Sequence, residues 1–261
     1  MDKASWGGLV LGLGGVVGGL LLEGGRLSQI LQPTAAMIVF GGTAGAVLIQ
    51  FPLPVVTQAT RRLGQVFLQP KRDPASIVPE LVQYANRARR EGIVSLDSEL
   101  EKIKEPFLKK SLMLAVDGTE PQDLRSMMEL ELDNQAEREE KIPQVFESAG
   151  GFSPTIGIIG AIMGLIQVMQ HLDKIDEVGR GIAVAFVATI YGVGAANLLF
   201  LPCAGKLRIR IREEQVLREM TLEGVVSILE GMNPRMLETR LLGFLADGKG
   251  KETPAAPEVV P

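Results

Sequence analysis

Two apolar segments near the middle of the chain decide its fold: GGFSPTIGIIGAIMGLIQVMQ at residues 150–170 and IAVAFVATIYGVGAANLLFLPC at residues 182–203. Neither segment contains Asp, Glu, Lys or Arg, and the same is true of residues 6–22 and 34–56. A helix of about 17 to 25 mostly apolar residues is long enough to cross a bilayer. The sequence therefore predicts an all-α polytopic membrane protein with four transmembrane helices, arranged as two hairpins, and a helical cytoplasmic region.

The charges that flank these segments predict their orientation. Basic residues follow the second and the fourth segment: Arg61, Arg62, Lys71, Arg72, Lys206, Arg208, Arg210 and Arg212. The connection between the third and fourth segments is acidic on balance, and the first connection carries only Glu23 and Arg26. Because Lys and Arg are enriched in cytoplasmic loops, both termini are predicted to be cytoplasmic. A signal peptide is the alternative interpretation of residues 6–22, but they contain many glycines and lack a clear cleavage site.

The charged stretches divide the chain into four predicted parts. They are a first transmembrane hairpin (1–60), a cytoplasmic helical region (61–147), a second transmembrane hairpin (148–205), and a cytoplasmic helix with a disordered tail (206–261). In the second part, helical spacing of apolar residues begins at Ile77 and stops at Gly92, and a second helix begins near Ser95. A third helix begins at Pro121 and continues into the third segment. The fourth segment continues as a helix to near Gly231, and the tail begins at Gly248.

Composition excludes several classes of function. One Cys and one His leave no basis for a disulfide framework or a histidine-built metal site, and a net charge of −4 gives no reason to expect nucleic acid. No constellation of nucleophile and base appears, so we expect no enzymatic activity, no catalytic residue, no metal and no cofactor.

Small residues and neutral polar groups characterise the four segments. Glycines recur at intervals of four in the pairs Gly8 and Gly12, Gly14 and Gly18, Gly41 and Gly45, and Gly160 and Gly164. This spacing lets helices pack closely, which is equally compatible with a membrane scaffold that transports nothing. No segment holds an ionisable side chain, although proteins driven by an ion gradient usually place a carboxylate in the bilayer. Either the chain transports nothing, or a second polypeptide supplies the carboxylate.

Four motifs resemble those of the MotA-like subunit of bacterial flagellar stators, within the MotA, TolQ and ExbB group. They are GGTAG at 41–45, ARREGIVSLD at 88–97, FSPTIGIIGAIMG at 152–164 and GIAVAFVATIYG at 181–192. The resemblance covers nearly the whole chain. TolQ- and ExbB-like relatives, which energise outer-membrane processes, have one span before their cytoplasmic region where this chain has a hairpin. That alternative is therefore disfavoured.

The resemblance implies a homopentamer embedded in the lipid of the bacterial inner membrane, around two copies of a MotB-like, peptidoglycan-anchored partner that contributes the ion-binding aspartate. Ions would pass beside this aspartate and step the ring relative to the partner, producing torque on the rotor. By correspondence with the family, the ion path includes Pro154, Thr155, Ala161 and Thr189. Sodium-driven relatives tend to have Thr where this chain has Ala161, so the transported ion is expected to be a proton, with sodium the alternative.

The resemblance also assigns residues outside the membrane. Arg89 and Asp97 match the charges that contact the rotor switch protein FliG, and Pro234 matches a proline that affects torque. Asp97 departs from the family, which often has Glu there. Both charges have a local explanation as well, because Arg89 lies in the last turn of one predicted helix and Asp97 in the first turn of the next, where each favours the helix dipole.

Overall fold

The computed structural model describes residues 2–68, 76–173 and 175–247, and the regular elements in these ranges are all helical. The α-helices are α1 Lys3–Leu22, α2 Leu27–Ile30, α3 Pro33–Ala36, α4 Gly42–Gln50, α5 Leu53–Arg62, α6 Gly64–Phe67, α7 Ile77–Glu91, α8 Asp97–Leu100, α9 Pro106–Val116, α10 Pro121–Gln170, α11 Ile175–Ala195, α12 Leu201–Leu229 and α13 Pro234–Asp247. Two π-helical segments, Met37–Gly41 and Ala196–Phe200, join α3 to α4 and α11 to α12, and a 3-10 helix, Ile93–Leu96, precedes α8. The predicted all-α class is confirmed.

Among the described residues, four stretches of helix are long and apolar enough to cross a membrane: Lys3–Leu22, Pro33–Gln50, Pro121–Gln170 and Val178–Leu229. They contain the four predicted segments, except that the second ends before Val56. Phe51 has extended backbone angles (φ −119°, ψ 141°), since the ring of the following Pro52 disfavours a helical conformation at the preceding residue.

Helix α10 runs without a break from the charged region into the third apolar segment, as predicted. It contains Pro143 and Pro154, each of which lacks the amide hydrogen that would bond to the carbonyl one turn earlier. The end of α7 at Glu91 is confirmed as well, and Gly92 follows it with a φ of +82°, a conformation that favours glycine. Lys71, Arg72, Lys174 and the predicted tail from Gly248 lie outside the described residues.

Two further elements differ from the prediction. The helix expected after Ser95 is only a short α8, and Pro106 begins the separate helix α9, whose first amides bond to the Glu105 side chain. Helix α13 was not predicted. It begins at Pro234, in the position where proline fits best because a first-turn residue needs no amide hydrogen.

The chain divides into two compact units, and α10 and α12 contribute to both. The first unit consists of the described residues within 1–69 and 138–210 and holds the apolar helices. At one end of this unit, the Asp2 carboxylate accepts hydrogen bonds from Lys206 and Arg210, each at 2.8 Å. Lys206, the Ser5 amide and Arg210 hold the pKa of the Asp2 carboxyl well below its usual range. Arg210 also donates to the carbonyl oxygen of Leu68, so these contacts connect α1, the end of α6 and α12.

The second unit consists of the described residues within 70–137 and 211–261. Its core is apolar and is built from α7, α9, the first turns of α10, the last turns of α12 and α13. Leu81, Leu112 and Leu124 are among its fully buried side chains. One buried acid lies beside this core: Glu223 of α12 pairs with Arg125 of α10 at 2.9 Å and Arg240 of α13 at 2.6 Å. A buried carboxylate is stable only when such partners replace water.

Two leucines on α10 test the core of the second unit, because Leu124 is fully buried and Leu130 is 64% exposed. We expect Leu124→Ala to lower the free energy of unfolding by about 2–5 kcal/mol, through lost apolar contacts and the cavity left behind. Leu130→Ala removes the same atoms from the surface and should change it by less than about 0.5 kcal/mol. Denaturant unfolding of the detergent-solubilised chain measures both, and equal losses would contradict this description of the core.

Candidate functional site

Helices α10 and α11 cross so closely that their backbones touch. A Cβ atom on Gly192 would lie 2.5 Å from the carbonyl oxygen of Ser153, and one on Gly157 would lie 2.8 Å from the carbonyl oxygen of Ala188. Real Cβ atoms do not approach backbone oxygens this closely. Glycine at both positions is therefore what permits the crossing, as in other closely packed membrane helices.

The contact continues along both helices. A Cβ on Gly164 would lie 2.8 Å from the carbonyl oxygen of Gly181, and one on Gly160 would lie 2.8 Å from the Cβ of Ala188. The prediction that Gly160 and Gly164 form a packing face is thus confirmed. Gly41 and Gly45 behave differently, since Cβ atoms there would meet nothing within 4 Å in the described chain.

Ser153 is a polar residue of the crossing that the sequence analysis missed. Its side chain is fully buried, and its hydroxyl donates a 2.9 Å hydrogen bond to the carbonyl oxygen of Gly192. A serine is small enough for the contact and its hydroxyl is satisfied there. The available signal was spacing, because Ser153 lies four residues before Gly157 and so continues the small-residue face.

Two of the four predicted ion-path residues meet at this crossing. The Cα of Pro154 would lie 3.2 Å from a Cβ on Gly192, and the Cα of Thr189 would lie 3.5 Å from one on Gly157. The Thr189 hydroxyl is half-buried and donates to the carbonyl oxygen of Ala185 at 3.2 Å. Thr155 is exposed, and its hydroxyl bonds to the carbonyl oxygen of Phe152 at 2.7 Å. Ala161 is half-buried and carries no polar group.

Tyr191 connects α11 to the non-helical stretch between α2 and α3. Its hydroxyl donates to the carbonyl oxygen of Ile30 and accepts a 3.3 Å hydrogen bond from the amide of Gln32. The ring lies near that of Phe40, with centroids 6.0 Å apart. Tyr191 thus fixes the first hairpin against the helix that carries Thr189.

The predicted rotor-contact residues lie in the second unit. Arg89 is in the last turn of α7 and Asp97 begins α8, and both side chains are exposed. Within the three described ranges, neither takes part in an ion pair. Their helix-end positions agree with the local dipole explanation, while their free charges leave them available to a partner.

A different pair of charges holds this region together, and the sequence analysis missed it. Arg87 of α7 forms ion pairs with Glu99 of α8 and with Glu91, the latter at 3.2 Å, and bonds to the Ser98 hydroxyl at 3.2 Å. Lys102 and Arg87 hold the pKa of the Glu99 carboxyl below its usual range, and Glu99 raises the pKa of Arg87. The Arg87 side chain therefore bridges the turn at Gly92. No local spacing rule predicts a pair twelve residues apart.

Pro234, the predicted torque-related residue, is buried in the second unit. It follows Asn233, whose side-chain oxygen accepts a 3.0 Å hydrogen bond from the amide of Arg235. Asn233 therefore caps α13, and the ring of Pro234 fixes the direction in which the chain enters this helix.

Comparison with known proteins places this architecture in a family. Residues 99–220 match the model of the MotA/TolQ/ExbB proton channel family, and residues 6–92 match that of the motility protein A N-terminal region. Motility protein A of Bacillus subtilis (strain 168) is 35% identical over 246 residues, covering 94% of this chain and 91% of that protein. The chain belongs to the MotA/TolQ/ExbB proton channel family.

Solved structures of this family agree over almost the whole chain. The C. jejuni MotAB structure superposes with a TM-score of 0.89 at 29% identity, covering 97% of this chain and 98% of that chain. The flagellar MotAB stator complex from Bacillus subtilis gives a TM-score of 0.86 at 34% identity, covering 97% and 100%. The resemblance to MotA-like stator subunits is thereby confirmed. This member of the MotA/TolQ/ExbB proton channel family is a membrane protein and not an enzyme.

Alanine substitutions at two glycines of α11 test the close crossing of α10 and α11. Gly192→Ala places a methyl group against the Ser153 carbonyl, whereas a Cβ on Gly194 would meet nothing within 4 Å. We expect Gly192→Ala to lower the free energy of unfolding by about 1–3 kcal/mol, the usual cost of overpacking, and Gly194→Ala to leave it within about 0.5 kcal/mol. Unfolding of the solubilised chain by denaturant measures both. Tolerance of alanine at Gly192 would show that the helices do not cross this closely.

Proposed function

We propose that this chain is the MotA-like subunit of a flagellar motor stator. Together with a MotB-like partner it conducts protons across the bacterial inner membrane and converts the flow into torque on the rotor. The observation that carries the proposal is the crossing of α10 and α11, which brings Pro154 against Gly192 and Thr189 against Gly157. The two similar solved structures are MotAB complexes, one of them a flagellar stator.

The chain lacks a carboxylate where ion transport needs one. Residues 150–170 and 182–203 contain no Asp, Glu, His, Lys or Arg, so neither segment offers a carboxylate or an amine that could carry a proton. A peptidoglycan-anchored partner with one spanning helix would supply an aspartate beside Pro154. A proton entering from outside would bind this aspartate and leave toward the cytoplasm past Thr155, Ala161 and Thr189.

Uncovered glycine faces support association with other chains. Helix α1 has no buried residue, and Cβ atoms on Gly8, Gly14 and Gly18 would meet nothing within 4 Å in the described chain. Such faces allow a second helix to approach closely. Five copies of the chain around two copies of the partner would cover part of this surface, with lipid on the remainder.

Contacts within the first unit support the proposed topology. Asp2 bonds to Lys206 and Arg210, and Arg210 bonds to the Leu68 carbonyl, so the beginning of α1 lies beside the basic end of the fourth span. Basic residues favour the cytoplasmic side. Both termini are accordingly assigned to the cytoplasm, with hairpins at 1–60 and 148–205 and cytoplasmic parts at 61–147 and 206–261.

The exposed charges of the second unit suit contact with the rotor switch protein FliG. Arg89 and Asp97 are opposite in sign and stand on either side of the Gly92 turn. Charges of this kind steer a partner and fix its register more than they add affinity. Pro234 affects torque through the packing of α13.

Ala161 favours protons over sodium. A sodium ion must replace the water of its shell with oxygen ligands, and a Thr hydroxyl could provide one. Ala161 offers none, whereas a proton needs only the partner's carboxylate and a chain of water.

Proton uptake tests the need for a partner. Vesicles containing the chain alone should take up no more protons than empty vesicles, because its predicted spans contain no Asp, Glu, His, Lys or Arg. Vesicles that also contain the MotB-like partner should take up protons, and replacing the partner's membrane aspartate with asparagine should abolish this uptake. A pH-sensitive dye inside the vesicles gives the readout. Proton movement by the chain alone would refute the proposal.

Charge reversals test the rotor contact. Arg89→Glu and Asp97→Lys should each reduce recruitment of the stator to motors by about 2- to 5-fold, since an exposed charge pair is worth up to about 1 kcal/mol. The double variant should reduce it further. Fluorescent tagging of the chain in a flagellated strain that lacks its own stator gives the number of complexes at each motor.

Lys109→Glu is the matched control, because Lys109 is also exposed but lies on α9. It should leave recruitment unchanged. If both single variants and the double variant were recruited to motors as well as the wild type, the assignment of Arg89 and Asp97 to the rotor contact would be wrong.

A further inference from the structure

A small apolar socket lies beside Arg89 on the surface of the second unit. It encloses about 170 Å³ and is lined by Ala85, Ala88 and Ile93 on one side and by Ile228, Leu229 and Met232 on the other. Sites for small-molecule ligands usually enclose about 300–1,000 Å³. The socket is therefore too small for such a ligand and suits a single apolar side chain.

The wall formed by the end of α12 is rigid. The amide of Met232 bonds to the Ser227 carbonyl at 2.9 Å, and the amide of Gly231 bonds to the Ile228 carbonyl at 3.0 Å. With Gly231 at a φ of +76°, this is the Schellman arrangement that ends many helices. Pro234 begins α13 directly afterwards and is buried. The socket is thus formed in the free chain and needs no rearrangement to accept an occupant.

The rim of the socket carries an available positive charge. Arg89 lines it with an exposed side chain, and no carboxylate among the described residues forms an ion pair with this guanidinium. Two acids of the same region, Glu91 and Glu99, pair with Arg87 instead. An apolar depression bordered by a free arginine is the kind of surface that dominates binding at protein interfaces.

We propose that the socket and Arg89 together bind one helix of the rotor protein, which inserts a Leu, Ile or Met side chain into the socket and pairs a carboxylate with Arg89. The inference rests on the proposed rotor contact and adds its apolar half. An occupant with an acid is favoured because the free charge at the rim is positive. A helix is favoured because residues three or four apart on one face lie about 5–6 Å from each other, so one element carries both groups.

This arrangement gives the rotor contact two separable parts. The carboxylate finds Arg89 at long range, and the apolar side chain then fixes the position of the helix. Pro234 contributes by holding the chain that follows Met232, which connects its buried ring to the contact surface.

The experiment fills the socket without changing charge. Ala88→Leu adds bulk inside it, and Gln83→Leu adds the same side chain at an exposed position of α7 outside the socket. Full-length tagged variants are expressed with the MotB-like partner in a flagellated strain that lacks its own stator, and the complexes at each motor are counted. We expect Ala88→Leu to reduce recruitment by about tenfold or more, and Gln83→Leu by less than about twofold.

Met232→Ala removes part of the apolar wall without adding bulk and should reduce recruitment by about threefold. It tests the socket independently, in case Ala88→Leu does not fold. Proton uptake by vesicles containing each variant and the partner shows that the complex is assembled, and it should match the wild type.

If Arg89→Glu lowers recruitment while Ala88→Leu and Met232→Ala do not, the socket proposal fails and the rotor contact stands. If all three variants are recruited normally, the socket proposal fails and Arg89 has no part in the rotor contact. A change in the number of chains per complex with Ala88→Leu would assign the socket to a second copy and overturn the proposal.

Discussion

The backbone contact between α10 and α11 is the constraint on which the membrane part of this protein depends. At Gly157 and Gly192 there is no space even for a methyl group, because the opposing atoms are carbonyl oxygens and Cα atoms. Helices this close cannot separate or slide by small amounts without losing the hydrogen bond from Ser153. The positions of Pro154 and Thr189 are therefore set by backbone geometry, which a flexible side-chain contact could not achieve.

The two units are stabilised in different ways. The first has small residues between its central helices and ion pairs that include Asp2 with Arg210 and the buried Glu139 with Arg62. The second has a continuous apolar core and one buried acid, Glu223, held by two arginines. A lipid environment explains the contrast, because apolar side chains gain nothing from leaving lipid tails for a core, whereas they gain much from leaving water.

Features that depend on length, charge and regular spacing could be predicted from the sequence. The four spans followed from the absence of charged residues, and the packing of Gly160 and Gly164 followed from spacing. The glycine pattern was less informative in the first hairpin, where Gly42 and not Gly41 or Gly45 meets a neighbour, Ile156. Spacing shows that a helix face is lined by small residues, but it does not show whether another helix packs on that face.

Contacts between residues remote in sequence could not be predicted. The bridge from Arg87 to Glu99 depends on how the chain turns at Gly92, and Glu223 finds its arginines only after three helices have packed. Helix α13 escaped prediction because its apolar residues follow a proline that equally well signals a loop. For the proposed ion path, the family motif named Pro154 and Thr189, and the structure added Ser153, whose hydroxyl bonds across the crossing to the Gly192 carbonyl.

The hydroxyl of Tyr191 has a consequence for where the first hairpin can break. Between α2 and α3 the chain leaves the helical conformation, so the carbonyl of Ile30 and the amide of Gln32 lack the partners that a continuous helix would provide. The phenol serves both groups at once, as donor to one and acceptor to the other. Exposed peptide groups are intolerable in hydrocarbon. A single side chain from a helix distant in sequence therefore satisfies two backbone groups of this irregular stretch. The stretch can lie nearer to the lipid tails than a loop whose peptide groups lack partners.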